Sequence, residues 1–145
     1  MRTLMLIAAS FAIATPALAD DSDAAFKKQV EALVKTYMDA FNSKNADGVL
    51  ATYAPDGFFL AADGHTDKGD AMRKNLEGAF AAGLHDEATV TEAHRYGNAG
   101  FAFGTFTFTG KNMSGGGNWN ATYVIEGDQP RIKLLAASVP PPPPK

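Results

Sequence analysis

The stretch APDGFFLAADG, residues 54–64, divides the chain into a helical half and a strand half. Its two Asp-Gly pairs flank a short apolar run, and each suits a reversal of direction. Aspartate satisfies nearby backbone N–H groups there, and glycine takes the positive dihedral that a turn needs. Ala54-Pro55 stops whatever helix precedes it, because proline cannot continue the hydrogen-bond ladder. Phe58 to Ala62 then reads as a strand, Asp63-Gly64 as a tight hairpin turn, and His65-Thr66 as the start of its partner.

Upstream, Phe26, Val30, Leu33, Val34, Tyr37, Met38 and Phe41 recur at steps of three and four, one continuous stripe on a long α-helix. Ser22 or Asp23 is expected to cap its first turn, and Lys44-Asn45 to end it. A second, shorter helix is expected behind Asn45, with Val49, Leu50 and Tyr53 on its apolar face. Downstream, Asp70 is expected to cap a third helix that buries Met72, Leu76, Ala79 and Phe80 and stops at Gly83.

The rest reads as strands. Thr89 to Tyr96 alternates, with Val90, Glu92, His94 and Tyr96 on one face. Asn98-Ala99-Gly100 turns the chain into Phe101 to Thr109, where Phe101 and Phe103 take one parity and Phe106 and Phe108 the other; a bulge or bend at Gly104 would explain the switch. A glycine-rich loop at residues 114–117 leads into Trp119 to Glu126, Gly127-Asp128 turns again, and Ile132 to Val139 is the last strand. Helices first and an antiparallel meander after them make an α+β fold, with the helical stripes buried against one sheet face.

Met1-Arg2-Thr3, an apolar run to Ala14 and the small residues Ala17 and Ala19 have the form of a secretory signal peptide, residues 1–19, cleaved after Ala19. The run is well short of the roughly 20 residues that span a bilayer, so no membrane association is expected after cleavage. A periplasmic or secreted domain, residues 20–139, would remain, followed by a polyproline tail at 140–145 that is read as a stiff solvated extension. Loss of Arg2 takes the formal charge from -3 to -4, and the basic residues are scattered, so no nucleic-acid partner is expected. The chain has no cysteine, which excludes disulfides and thiol chemistry.

Tyr37, Phe41-Asn42-Ser43, Asp47-Gly48 and Tyr53-Ala54-Pro55-Asp56-Gly57, followed by Asp67-Lys68-Gly69-Asp70-Ala71-Met72 and Gly100-Phe101-Ala102-Phe103, resemble the nuclear transport factor 2-like superfamily. The nearest likeness is to its SnoaL-like and DUF4440 groups. The resemblance implies a cone-like, strongly curved antiparallel sheet wrapped around the long N-terminal helix, with two shorter helices and a pocket at the open end. Members include ketosteroid isomerases, cyclases, dehydratases and proteins that only bind, so the site must argue for itself. Many members pair through the outer sheet face, and a homodimer is expected, with Val90, Tyr96, Trp119 and Tyr123 as an exposed apolar row.

The isomerase members use a tyrosine, a base and a second acid. Matched to this chain, the tyrosine falls on Tyr37, the base position on Ala61 and the second acid near Ala121, so the proton carrier is missing. Asp56 and Asp63 are both read as turn residues, with Asp63 near the expected rim. Glu92 and His94 are read as a solvated or partner-facing pair on the convex sheet face; on the concave face they would form an acid–base pair. Tyr37, Asp63, Glu92 and His94 are thus the catalytic candidates, and Tyr37, Phe41, Phe58, Phe80, Phe101, Phe103 and Trp119 the expected pocket lining. His65, His85 and His94 lack metal-ligand spacing, and neither metal nor cofactor is expected. The expected function is binding of a small apolar or amphipathic molecule without catalysis. The alternatives are a lyase, isomerase or cyclase acting on a small carbonyl compound, and a dimeric association module.

Overall fold

The structure, a computed structural model, describes residues 19–140, with side chains from Ser22 onward. Apart from their boundary residues, the export-signal and polyproline readings lie outside the described residues. Three helices and six strands follow in the order α1 (Ala19–Asn42), α2 (Ala46–Leu50), β1 (Tyr53–Leu60), β2 (Thr66–Asp67), α3 (Asp70–Ala81), β3 (His85–Tyr96), β4 (Ala99–Thr109), β5 (Ser114–Glu126) and β6 (Gln129–Ser138).

The strands form one sheet in the order β2-β1-β6-β5-β4-β3. Neighbours are antiparallel except for β1 and β6, which run parallel. These two are joined through most of the chain rather than by a hairpin, so no turn fixes their relative direction. The expected α+β architecture holds, with a long helix on a curved sheet. Phe26 and Val30 of α1 are almost wholly buried, and Phe26 meets Tyr123 edge-on at 5.9 Å. At the other end of the helix, Phe41 packs edge-on against Phe80 of α3 at 5.3 Å.

Several local expectations shift. Asn45 caps α2 as expected, its side chain accepting from the Gly48 N–H at 2.9 Å. Tyr53, however, opens β1 instead of closing the helix, and Pro55 to Gly57 form an irregularity between its two paired segments. Proline is accommodated there because an unpaired stretch asks for no N–H. Gly69 with φ 55° stands at the N-cap of α3, and Asp70 is the first helical residue. Gly97, not Gly100, carries the positive φ of the β3–β4 turn, and the glycine-rich segment from Ser114 belongs to β5.

The bend in the sheet has a specific cause. Val90 pairs with Gly104 and Glu92 with Phe103, so Thr91 is an extra residue in β3 opposite Gly104. A Cβ on Gly104 would lie 1.8 Å from the Thr89 carbonyl oxygen and 2.9 Å from Trp119 Nε1. Its absence lets the Trp119 indole of β5 donate to that carbonyl at 3.0 Å, reaching across β4. The bulge therefore sits in β3 rather than at Gly104, and the glycine is what allows it.

Candidate functional site

The bulge divides β3 between the two faces of the sheet. Before it, Asp86, Ala88 and Val90 point inward; after it, Ala93 is buried while Glu92, His94 and Tyr96 turn outward. Val90 therefore does not share a face with the other three. Phe101 and Phe103, directly opposite His94 and Glu92, also face outward, in a stack His94–Phe101–Phe103 with centroid separations of 5.1 and 6.5 Å.

Between α1, α3 and the concave face lies a cavity of about 320 Å³. Its wall is mostly apolar. Of the expected lining, Tyr37, Phe41 and Trp119 are there. Phe58, Phe80, Phe101 and Phe103 are not: Phe59 takes the inward parity in β1, Phe80 stands behind Phe41, and Phe106 and Phe108 are the inward rings of β4. Trp119 and Tyr123 are buried, so of the expected exposed row only Tyr96 is prominent, 65% exposed.

Among the described residues Asp86 is the one carboxyl on the cavity wall. Asn42, at the end of α1, holds the backbone of Asp86 on both sides. Its amide donates to the Asp86 carbonyl at 2.8 Å, and its carbonyl accepts from the Asp86 N–H at 2.9 Å. The half-buried Asp86 side chain is not held in this way: its Oδ1 is buried and has no hydrogen-bond partner among the described residues. Burial raises its pKa to about 6, against a small opposing effect of His85. A carboxyl so placed is half protonated near pH 6 and mostly ionised at neutral pH, where it can accept a proton and later return it.

Tyr37 and Tyr53 also line the cavity, their tilted rings 6.3 Å apart between centroids. Burial pushes Tyr37 up to about 12, with the nearby Asp86 charge acting in the same direction, and Tyr53 well above its ordinary value. Both remain protonated donors at any physiological pH. Asp86 was missed by a strand reading that began at Thr89; the parity of Asp86, Ala88 and Val90, an acid in line with two apolar residues, is the signal that could have found it.

The other candidates do not join this group. Asp63 is a turn residue: its Oδ1 accepts from the His65 N–H at 3.1 Å, and Gly64 supplies φ 90°. Asp56 pairs with Lys133 across β1 and β6. His94 Nδ1 lies 2.8 Å from an Asp23 carboxylate oxygen and its Nε2 3.3 Å from one of Glu92, outside the cone, with the ring N–H donating and the carboxylate accepting. Ala121, where the resemblance put a second acid, is buried. Among the described residues no cluster of His, Asp or Glu is arranged to hold a metal ion, and no helix is long and apolar enough to cross a membrane.

An α1-centred cone with an apolar cavity at its C-terminal half defines a class of protein, and comparison with known proteins gives the family. The chain belongs to the SnoaL-like domain family, whose model matches residues 34–132. Among solved structures it resembles an NTF2-like protein of unknown function from Pseudomonas putida, at 20% identity over 82% of this chain and 89% of that one, with a TM-score of 0.69. It also resembles a ketosteroid isomerase-like protein from Erwinia carotovora atroseptica, at 17% identity over 79% and 96%, with a TM-score of 0.67. A third is a domain of unknown function with a cystatin-like fold from Nostoc punctiforme, at 14% identity over 82% and 80%, with a TM-score of 0.70. These likenesses bear on the fold alone. None of the curated proteins matches.

Proposed function

We propose that the cavity binds a small, largely apolar carbonyl compound and that Asp86 moves a proton at the carbon next to the carbonyl. This reading departs from the expectation of binding without catalysis, because the base missing at Ala61 is supplied from a different strand. The observation that carries it is the buried Asp86 Oδ1, without a hydrogen-bond partner among the described residues, in a mostly apolar wall, with the carboxyl pKa raised to about 6. In the proposed step the ionised Asp86 takes the proton, the electron pair moves into the carbonyl, and Tyr37, backed by Tyr53, donates to the developing enolate oxygen. Return of the same proton to a different carbon gives an isomerase; departure of a β-substituent gives a lyase. A periplasmic or secreted setting for this activity is part of the proposal, supported by the signal-like N-terminal sequence.

The test needs no knowledge of the natural substrate. Exchange of α-protons for deuterium in 4-(4-methylphenyl)butan-2-one, followed by proton NMR in D₂O, is expected to run faster with the protein than with buffer. The exchange should disappear with Asp86→Asn. Exchange at the buffer rate for a panel of small ketones, or exchange retained in Asp86→Asn, removes Asp86 as a base and leaves the cavity as a binding site.

A second reading concerns assembly. Tyr96 and Phe103 are exposed on the convex face, 65% and 37%, beside the stacked Phe101. We propose that this face pairs with a second copy of the chain; light scattering showing a monomer at high concentration would refute it.

A further inference from the structure

Among the described residues the cavity wall carries an acid but no lysine, arginine or histidine. An anionic ligand would meet Asp86 with nothing to neutralise either charge, so an uncharged ligand suits the wall better. Besides Asp86 and the ring hydroxyls and indole, that wall carries the amide side chain of Asn75 of α3, a solvent-exposed residue. Its orientation is fixed from behind. The Asn75 amide nitrogen donates to Asp67 Oδ2, and Asp67 is only 8% exposed. An ionised carboxylate accepts only, so the NH₂ group must face Asp67 and the side-chain carbonyl is turned away from it. Asp67 is held in turn by His65 Nε2 at 3.2 Å, whose other ring nitrogen meets Asp63. The chain of contacts runs from the β1–β2 turn to the cavity mouth and ends in a fixed acceptor.

We infer that Asn75, oriented by Asp67, reads a hydrogen-bond donor such as a hydroxyl on the outer end of an uncharged ligand. The inference rests on the proposed cavity ligand and extends it: the carbonyl end lies by Tyr37 and Asp86, and the donor end by Asn75. Asn75 is the specificity residue and Asp67 its positioning residue. A ligand lacking the donor leaves the Asn75 carbonyl to water, and one with an acceptor in its place meets a second lone pair.

The experiment compares 4-(4-hydroxyphenyl)butan-2-one with its 4-methylphenyl analogue, a pair matched in shape. Binding is followed by the fluorescence of Trp119, the single tryptophan and a lining residue. The quantity read is the hydroxyl preference, the Kd of the methyl compound divided by that of the hydroxyl compound. Asn75→Leu should lower it about five- to tenfold, the worth of one neutral hydrogen bond. Asp67→Asn, which frees the Asn75 amide to turn over, should lower it less, while the methyl compound binds as before. Asp86→Asn should leave the preference within about twofold. Because Asn75 is exposed, its replacement tests the idea without risk to the core. An unchanged preference in Asn75→Leu, or a loss in Asp86→Asn instead, overturns the assignment even if Asp86 proves to be the base. Failure of both ketones to bind the wild type overturns the cavity ligand and this inference together.

Discussion

The two ends of β3 are fastened to the same helix in opposite ways. At the N-terminal end, Asn42 of α1 takes up the backbone N–H and carbonyl of Asp86 and leaves the carboxyl free in the cavity. At the C-terminal end, the acid itself is the fastener: Asp23 of α1 accepts from the Arg95 N–H at 2.9 Å and meets His94 at 2.8 Å. Between them Lys27 donates to the carbonyl of the bulge residue Thr91 at 3.0 Å. All three contacts occupy backbone groups of an edge strand that would otherwise stay unpaired. The difference is what remains after fastening. Asp23 is fully employed and therefore structural; Asp86 is spared by an amide that does the structural work for it, and its desolvated charge is available for chemistry.

The largest expected effect breaks the contrast at the cavity end. Asp86→Asn should lower the rate of proton exchange by about 10²–10⁴-fold, the usual contribution of a positioned base. It should not destabilise the fold at neutral pH. A carboxyl whose folded pKa is raised to about 6 disfavours the folded state once ionised, so wild-type stability should increase as pH falls through about 6 toward the ordinary value of 3.8. The rate should move the other way, rising with pH through about 6 as the base form appears. Urea midpoints and exchange rates across pH 4–8 check both signs, and the asparagine variant should flatten the stability change.

Tyr37→Phe comes next. Tyr37 stays protonated with a pKa of about 12, so its loss removes a donor and not a charge. A fall in exchange rate of about 10- to 100-fold is expected, at the low end for an oxyanion donor because Tyr53 remains beside it. The pH profile set by Asp86 should persist, which separates loss of a donor from damage to the base.

The boundary between the two ends is the Thr91 bulge, and it marks where the sequence stops being legible. Element order, the buried stripe of α1, the Asp63-Gly64 turn and the shared face of Glu92 and His94 follow from periodicity and turn chemistry; which side of the sheet that face takes does not. Those signals are local. Asp86 escaped because the strand was read from Thr89 and not from His85, and Val90 was put with Glu92, His94 and Tyr96 because alternation assumes an unbroken period of two, which the extra residue reverses midway. What places the bulge is a cross-strand fit of Gly104, the Thr89 carbonyl and the Trp119 indole, three segments far apart in the chain. The phenylalanines were misplaced for the same reason: Phe101 and Phe103 satisfy strand propensity equally well on either face. The aromatic residues that line the cavity beyond the expected Tyr37, Phe41 and Trp119, namely Tyr53, Phe59, Phe106, Phe108 and Tyr123, occupy positions that the pattern alone leaves open.

Gly104→Ala tests that boundary directly. The added methyl would press on a backbone carbonyl that belongs to the bulge and on the indole that bonds to it. Either the Trp119 hydrogen bond breaks or β3 moves away, at a cost of about 1–3 kcal/mol or more. Urea unfolding should show the loss, and Trp119 fluorescence should shift as its N–H is released. Full stability with an unchanged emission spectrum would mean that the bend does not depend on the missing Cβ.

The smallest effect lies at the outer end. Asp23 is held below its ordinary value of 3.8 by the Arg95 N–H and then by His94, and His94 is raised above 6.5 by Asp23 and then by Glu92. The His94 contribution to stability is complete below 6.5 and fades as pH rises through its elevated value; that of Asp23 is complete above 3.8 and fades as pH falls through its depressed one. Their shared window therefore lies between those two pH values, and His94→Gln should lower the wild-type melting temperature slightly inside it and not at all well above it. The proton-exchange rate of the variant, normalised to folded protein, should match that of the wild type throughout, because the pair lies on the far side of the bulge from Asp86. A His94→Gln variant that lost exchange while keeping its stability would show that the outer pair communicates with the cavity, and the division of β3 into a fastened end and a working end would fail.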